Sequence, residues 1–265
     1  MRLANRVAIV SGGGTGIGAA TARLFAAEGA LVAVTGRRAR PLEAVAAEIG
    51  GLAVPGDGAE PGVAERVVAA TVERFGGLDV IVANAGVGLG GSVGDVDDER
   101  WQRTLDVNLT AAMRLVRAGL PALLRRGRGS IVLVSSVSGL VAAADSAAYV
   151  ASKAALIGLA RSIEVDYGPR GVRANVLCPG WVVTPMADEE MDGVAASRGV
   201  SRSEAYALAT SAVPLRRPAR PEEIAACCLF LASDESSIVT GSVLVADGGG
   251  TAVDVASLEL EQPGS

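Results

Sequence analysis

The stretch Val7-Ala8-Ile9-Val10-Ser11-Gly12-Gly13-Gly14-Thr15-Gly16-Ile17-Gly18 is a short apolar run that breaks into a glycine-rich turn. An Ala-rich segment with helical character, residues 19–28, follows directly. Four consecutive apolar residues fit a strand covered on both faces, and glycine lets the backbone turn tightly after it. A strand-turn-helix unit of this kind points the free N–H groups of a helix start at the turn. A pyrophosphate fits there because those groups and the helix dipole both favour an anion. Any tight turn can use glycine, so the reading rests on the rest of the chain.

The same alternation recurs to the end. Apolar runs at 31–35, 52–54, 80–83, 131–134, 172–177 and 243–245 read as strands. Helical segments at 41–49, 64–75, 99–124, 148–167 and 221–232 separate them. Continuous apolar strands alternating with helices predict an α/β fold: a three-layer, doubly wound parallel sheet of about seven strands. Residues 1–265 read as one domain without repeats or linkers. The rhythm breaks only at 181–214, which is polar, and residues 182–213 are expected to form a lid over the substrate.

Composition removes several chemistries. The chain has 265 residues, half of them hydrophobic, and a formal net charge of −5. That balance gives no reason to expect a nucleic-acid or anionic-membrane partner. No apolar run reaches membrane-span length and no signal-like stretch opens the sequence, so a cytoplasmic location is expected. There is no histidine, which excludes a Ser-His-Asp triad, a Cys-His pair and His-ligated metal. The three cysteines, Cys178, Cys227 and Cys228, form neither a disulfide framework nor a metal cage; the last two read as small core residues.

Two constellations carry the chemistry. At the end of the second strand stand Thr35-Gly36-Arg37-Arg38-Ala39-Arg40, with no acid before Glu43. An acid there binds a ribose 2′-hydroxyl, whereas a guanidinium clamps a 2′-phosphate. Arg37 and Arg38 therefore favour NADP(H), with NAD(H) and merely solvated arginines as the alternatives. Further on, Ser136 follows the fifth strand, and Tyr149 and Lys153 stand four residues apart on a predicted helix. That spacing puts phenol and ammonium on one face, and a phenol is a usable base near neutral pH only beside a cation. Lys153 is the only lysine among 24 basic residues. A compact point charge fits under a cofactor ribose where a planar guanidinium does not.

With these residues in order, the sequence resembles the short-chain dehydrogenases/reductases, a Rossmann-type family, from about Asn5 to about Gly250. The matching motifs are Gly12-x-x-x-Gly16-Ile17-Gly18, Asn84-Ala85-Gly86, Asn108, Ser136, Tyr149 with Lys153, Pro179-Gly180 with Thr184, and Asp247-Gly248-Gly249. Ser11 replaces the usual Thr, Ala83 the usual first Asn, and Thr15 a basic residue frequent in NADP-preferring members.

The resemblance implies a catalytic set of Asn108, Ser136, Tyr149 and Lys153. Ser136 would bond the substrate oxygen and Tyr149 would exchange its proton. Lys153 would lower the Tyr149 pKa and hold the nicotinamide ribose, and Asn108 would hold a water behind it. The implied cofactor contacts are Ser11, Gly12, Gly14, Thr15, Gly16, Ile17, Gly18, Arg37, Arg38, Asp57, Gly58, Asn84, Ala85, Gly86, Tyr149, Lys153, Pro179, Gly180, Val182 and Thr184. Asp57 is expected beside the adenine and Thr184 near the carboxamide. A homotetramer or homodimer is implied, with the Tyr149-bearing helix and the Trp101 to Leu124 segment between subunits.

The substrate is expected to be a small carbonyl or secondary alcohol compound, and NADPH-dependent ketone reduction is the leading expectation. A 3-oxoacyl thioester is one candidate, since Arg126, Arg128 and Arg170 would meet an acidic carrier unless they are ordinary surface charges. An NAD-dependent alcohol or polyol dehydrogenase and a non-catalytic dinucleotide-binding regulator are the alternatives. Ser135 and Ser138 read as turn residues, Asp188-Glu189-Glu190 as a solvated lid face, and Tyr167 and Tyr206 as structural.

Overall fold

Valine and isoleucine dominate the apolar runs, and β-branched side chains favour extended backbone. In the computed structural model, which describes residues 1–254, they give seven strands. These are β1 (Val7–Ser11), β2 (Leu31–Gly36), β3 (Leu52–Pro55), β4 (Val80–Ala83), β5 (Gly129–Val134), β6 (Val172–Pro179) and β7 (Val243–Ala246). Every pairing is parallel, in the order β3-β2-β1-β4-β5-β6-β7. The chain therefore winds outward from β1 in one direction and from β4 in the other. A crevice opens between those two strands at their C-terminal ends, where ligands bind in folds of this type.

Side chains alternate across the sheet and both faces are covered. Val7, Ile9, Ile81 and Leu133 face one apolar core. That core is closed by α3 (Val63–Phe75), α5 (Ala111–Arg125) and α6 (Ala147–Tyr167). Ala8, Val10, Val82 and Val132 face the other, beneath α1 (Gly16–Ala27), α2 (Ala39–Ile49) and α9 (Pro221–Ala232). Ile81, Leu133 and Phe25 are completely buried, each contributing about 1.5–3 kcal/mol by leaving water.

Three elements depart from the expected boundaries. The glycines at 16 and 18 lie inside α1, so the helix begins at the turn itself. The expected helix 99–124 is broken: α4 (Asp98–Leu105) passes into a five-residue π-helical turn, Asp106–Thr110, before α5. The lid segment, expected only as a polar excursion, contains two helices, α7 (Pro185–Arg198) and α8 (Arg202–Ala209).

Local chemistry explains the lid helices. Thr184 caps α7 by accepting from the Ala187 N–H, with Pro185 in the first turn, and Ser201 and Glu204 form a reciprocal capping box on α8. Met191, Ala187 and Ala195 pack against Ala205 and Tyr206 as a small core separate from the two beneath the sheet. Among the described residues no helix is long and apolar enough to cross a membrane, and no cluster of potential metal ligands occurs. Of the tail after Gly250, expected to reach a neighbouring subunit or stay partly disordered, residues 255–265 lie outside the described residues.

Candidate active site

The expected site residues converge on the C-terminal edge of the sheet. Ser11 ends β1, and its hydroxyl accepts from the backbone N–H groups of Asn84 and Ala85 beyond β4, at 3.0 and 3.1 Å. The Asn84 side chain donates back to the Ser11 carbonyl at 3.0 Å. These bonds hold together the two lips of the crevice.

Gly12 has φ +65°, in the region that favours glycine, and a methyl group on Gly18 would overlap the Gly12 carbonyl oxygen. Turn and helix therefore meet at a distance only glycine permits. The start of α1 has no side-chain cap and no acid in its first turn, whereas α4, α7 and α8 are capped by Asp97, Thr184 and Ser201. Open N–H groups without a competing carboxylate suit a phosphate. A narrow cavity continues beyond Gly12 between the 56–58 loop and the face of Val107, Ala111 and Leu115, small and apolar enough for a flat base. These features fit a dinucleotide.

Arg37 and Arg38 are exposed beside this turn. Arg38 donates to the Thr15 hydroxyl at 3.1 Å, and the Arg37 charge acts on Asp57. Asp57, expected beside the adenine, binds Arg103 at 2.6 Å and accepts from the Ala59 N–H at 3.0 Å. Burial works against the charged form of Asp57. The hydrogen bonds from Arg103 and Ala59, with the nearby guanidinium charges, nevertheless hold its pKa below the usual value. At the other end of the crevice Thr184 packs over Gly16, and Gly180 lies against the Asp247 backbone. Pro179 ends β6, and Val182 is buried on a bridge to Ala219.

Tyr149 and Lys153 lie on α6, facing the end of β5. Lys153 is 4 % exposed, donates to the Val134 carbonyl at 3.0 Å, and lies 5.5 Å from the centroid of the Tyr149 ring. Burial lowers its pKa to about 8. The buried Ser135 hydroxyl donates to the Lys153 carbonyl at 2.8 Å, so this serine anchors the helix turn that carries the ammonium. The Ser136 hydroxyl accepts from the Ser138 N–H and hydrogen-bonds the phenol. Burial raises the phenol pKa and outweighs that bond, and the nearby Glu190 and Cys178 act in the same direction as burial. The Tyr149 shift is thus upward, because desolvation dominates.

Asn108 sits in the π-helical turn, 1 % exposed. Its amide accepts from the Val87 N–H at 2.8 Å and donates to the Val87 carbonyl and the Ser152 hydroxyl, both at 3.0 Å. Ser152 donates in turn to the Tyr149 carbonyl at 2.7 Å. The Asn108 side-chain bonds tie the loop after Asn84 to the Tyr149 helix, and the π-helical turn is the local distortion that brings the amide inward.

A family model described as Enoyl-(Acyl carrier protein) reductase matches residues 12–251. The chain is 46% identical over 96% of its length to "Protein MoaE" of Klebsiella aerogenes, covering 98% of that protein. It is 38% identical to trans-4-hydroxycyclohexanecarboxylate dehydrogenase of Sinomonas cyclohexanicum, over 95% of each chain. A crystal structure of levodione reductase superposes with a TM-score of 0.90 at 31% identity, covering 95% of this chain and 100% of that one.

The chain is a short-chain dehydrogenase/reductase.

Members of this family bind NAD(P), and this chain is an oxidoreductase acting on CH–OH groups, as are the relatives named as dehydrogenases and reductases. Two further residues act on the enzyme's phenol or its lysine. Glu190, exposed on α7, acts electrostatically on Tyr149, and partial desolvation raises its own pKa. Its neighbour Asp188 accepts from the Tyr206 hydroxyl at 2.9 Å and faces Arg202 at 3.6 Å. Cys178, fully buried in β6, carries a thiol whose pKa burial pushes up, beside Lys153. Sequence reading missed Glu190 and Cys178 because neither belongs to a spaced motif; only the fold brings lid and β6 to the phenol.

Arg126 and Arg128 lie around Asp79, 4.0 and 3.5 Å from its carboxylate, before the start of β5. Arg170 stacks on Tyr167 beyond the far end of α6, just before β6. All three therefore stand at the opposite edge of the sheet from Tyr149, which removes their support for a carrier docked at the site.

Proposed function

We propose that this short-chain dehydrogenase/reductase is an NADPH-dependent reductase of a small, partly apolar ketone, acting through Ser136, Tyr149 and Lys153, and that the reverse reaction oxidises the secondary alcohol. The observation that carries the reading is the convergence of the three side chains at the β5–α6 junction, beside the crevice. A nicotinamide held in the crevice would supply the hydride. The Ser136 hydroxyl bonds the substrate carbonyl oxygen and orients it toward the phenol. Tyr149 delivers its proton to that oxygen. Its raised pKa keeps the phenol neutral at physiological pH, the form that donates. Lys153 holds the ribose hydroxyls and stabilises the phenolate left behind. Asn108 fixes the loop at Val87 and the α6 turn, and with them the distance from crevice to phenol.

Arg37 and Arg38, with no acid before Glu43, support NADP(H) over NAD(H). The walls offered to a substrate support a neutral, partly apolar compound: Leu140, Val141, Val183 and Met186 are all exposed, and Glu190 disfavours an anion beside the phenol. Trans-4-hydroxycyclohexanecarboxylate dehydrogenase and levodione reductase are named for cyclic substrates, so cyclic ketones are the first panel to assay. We further propose a homotetramer or homodimer packed through α5 and α6, and a cytoplasmic location.

Replacing Tyr149 by Phe is expected to lower turnover by about 10²–10⁴-fold, the usual contribution of a positioned acid–base group, while NADPH binding persists. Unchanged turnover would remove the assigned role. Paired calorimetric titrations should give NADPH binding at least tenfold tighter than NADH, about 1.4 kcal/mol. Equal or tighter NADH would place an NAD-dependent alcohol or polyol dehydrogenase first. Binding without turnover over a broad carbonyl and alcohol panel would favour a non-catalytic regulator.

A further inference from the structure

The cavity beyond Gly12 is closed by a loop with little to hold it. Gly56, Gly58 and Gly62 interrupt residues 56–62, and Gly62 has φ +83°. Two arginines of one helical stripe grip it. Arg103 on α4 binds the Asp57 carboxylate at 2.6 Å, and Arg114 on α5 donates to the Ala59 carbonyl. Between them, at helical spacing on the same stripe, Val107 and Ala111 line the cavity, and a methyl on Gly58 would touch Ala111 at 3.2 Å. The α4–α5 unit is thus an apolar wall with a guanidinium at each end, and both guanidinia are engaged with the same loop.

Asp57 keeps acceptor capacity. One of its oxygens takes the Ala59 N–H and the other takes Arg103, and each carboxylate oxygen has a second lone-pair direction. The carboxylate is fixed in direction and still able to accept from an exocyclic amine. Without Arg103 only the Ala59 N–H would hold it, on a glycine-flanked loop, and binding would have to order it further.

We propose that Arg103 is a positioning residue for the adenine half of the dinucleotide: by fixing Asp57 against α4 it holds the base slot ready-formed. Arg114 does the same for the Ala59 backbone. The inference rests on reading the crevice as a dinucleotide site and is independent of the substrate and of the 2′-phosphate preference. Because Asn108 follows on the same helical unit, the base slot and the Lys153 end share one rigid support.

The test is binding of cofactor fragments to full-length Arg103→Ala and Arg103→Lys proteins, with ADP, adenosine 2′,5′-bisphosphate and nicotinamide mononucleotide as probes. Arg103→Ala is expected to weaken both adenine ligands at least tenfold and to leave nicotinamide mononucleotide within twofold. Arg103→Lys, which keeps one donor, should recover part of the loss. Asp57→Asn combined with Arg103→Ala should bind no more weakly than Asp57→Asn alone. An Arg103→Ala protein that binds ADP within twofold of the parent overturns the proposal. So does a loss confined to the 2′-phosphorylated ligand, which would assign Arg103 to the Arg37/Arg38 phosphate site, and so does an equal loss for nicotinamide mononucleotide, which marks general unfolding. If the parent binds nicotinamide mononucleotide but neither adenine ligand, the cavity reading itself fails and the proposal with it.

Discussion

Lys153 is an ammonium with almost no access to water, held against a carbonyl and beside a phenol. Burial disfavours its charged form, which brings its pKa down to about 8 from an ordinary 10.5. Tyr149 and Cys178, the titratable groups packed against it, are both shifted upward, so neither ionises first. Two opposite trends follow. Affinity for NADPH in the free protein should fall as pH rises through about 8, because the charge that holds the ribose is lost; calorimetry between pH 7 and 10 reads it, and a flat affinity to pH 9.5 would contradict it. Stability moves the other way. Between about 8 and 10.5 the folded chain has released this proton and the unfolded chain has not, so the Lys153 contribution rises with pH. The same trend should be missing from Lys153→Met. The lone lysine and its spacing to Tyr149 were readable directly from the chain. The upward shift of the phenol was not, since desolvation is a property of the packed site.

The π-helical turn is the element on which the two halves of the site depend. Asn108→Ala would leave the Val87 N–H and carbonyl and the Ser152 hydroxyl short of a partner each. An unsatisfied buried group costs about 1–3 kcal/mol, so the midpoint in urea should drop measurably in the cofactor-free protein, and an unchanged midpoint would show that water replaces the amide. Sequence reading placed Asn108 within one long helix because apolar periodicity runs through 99–124 without a proline or glycine stop before Gly119. A π-turn keeps helical dihedrals and leaves that pattern nearly intact, so only the hydrogen bonds disclose it. The strands were legible for the opposite reason. A strand buried on both faces is written as an unbroken apolar run, as in Ile131-Val132-Leu133-Val134, and the parallel order followed from the alternation with helices. The lid helices were obscured by charge: Asp192 and Arg202 look like solvated residues until they are seen paired at 2.6 Å.

Across the whole molecule the sheet's two edges divide the work. Binding and proton-handling groups stand at the C-terminal edge, while Arg6, Arg126 and Arg128 surround the buried Asp79 at the other. Above the active edge α7 and α8 pack chiefly on each other, joined to the body through Thr184 and the Val182–Ala219 bridge. A segment with its own small core should open as a unit. Hydrogen exchange should give the amides of α7 and α8 one common opening free energy, below that of β1, β4 and β5, and a spread of values among the lid amides would refute a rigid lid. A final consequence comes from the buried ammonium. The described molecule has two primary amines, the α-amino group of Met1, which lies at the surface, and Lys153. An acylating reagent therefore has one internal target, at the centre of the site. Its rate of attachment there is a built-in gauge of how often the crevice admits solvent, and protection by a dinucleotide reports occupancy without any engineered label.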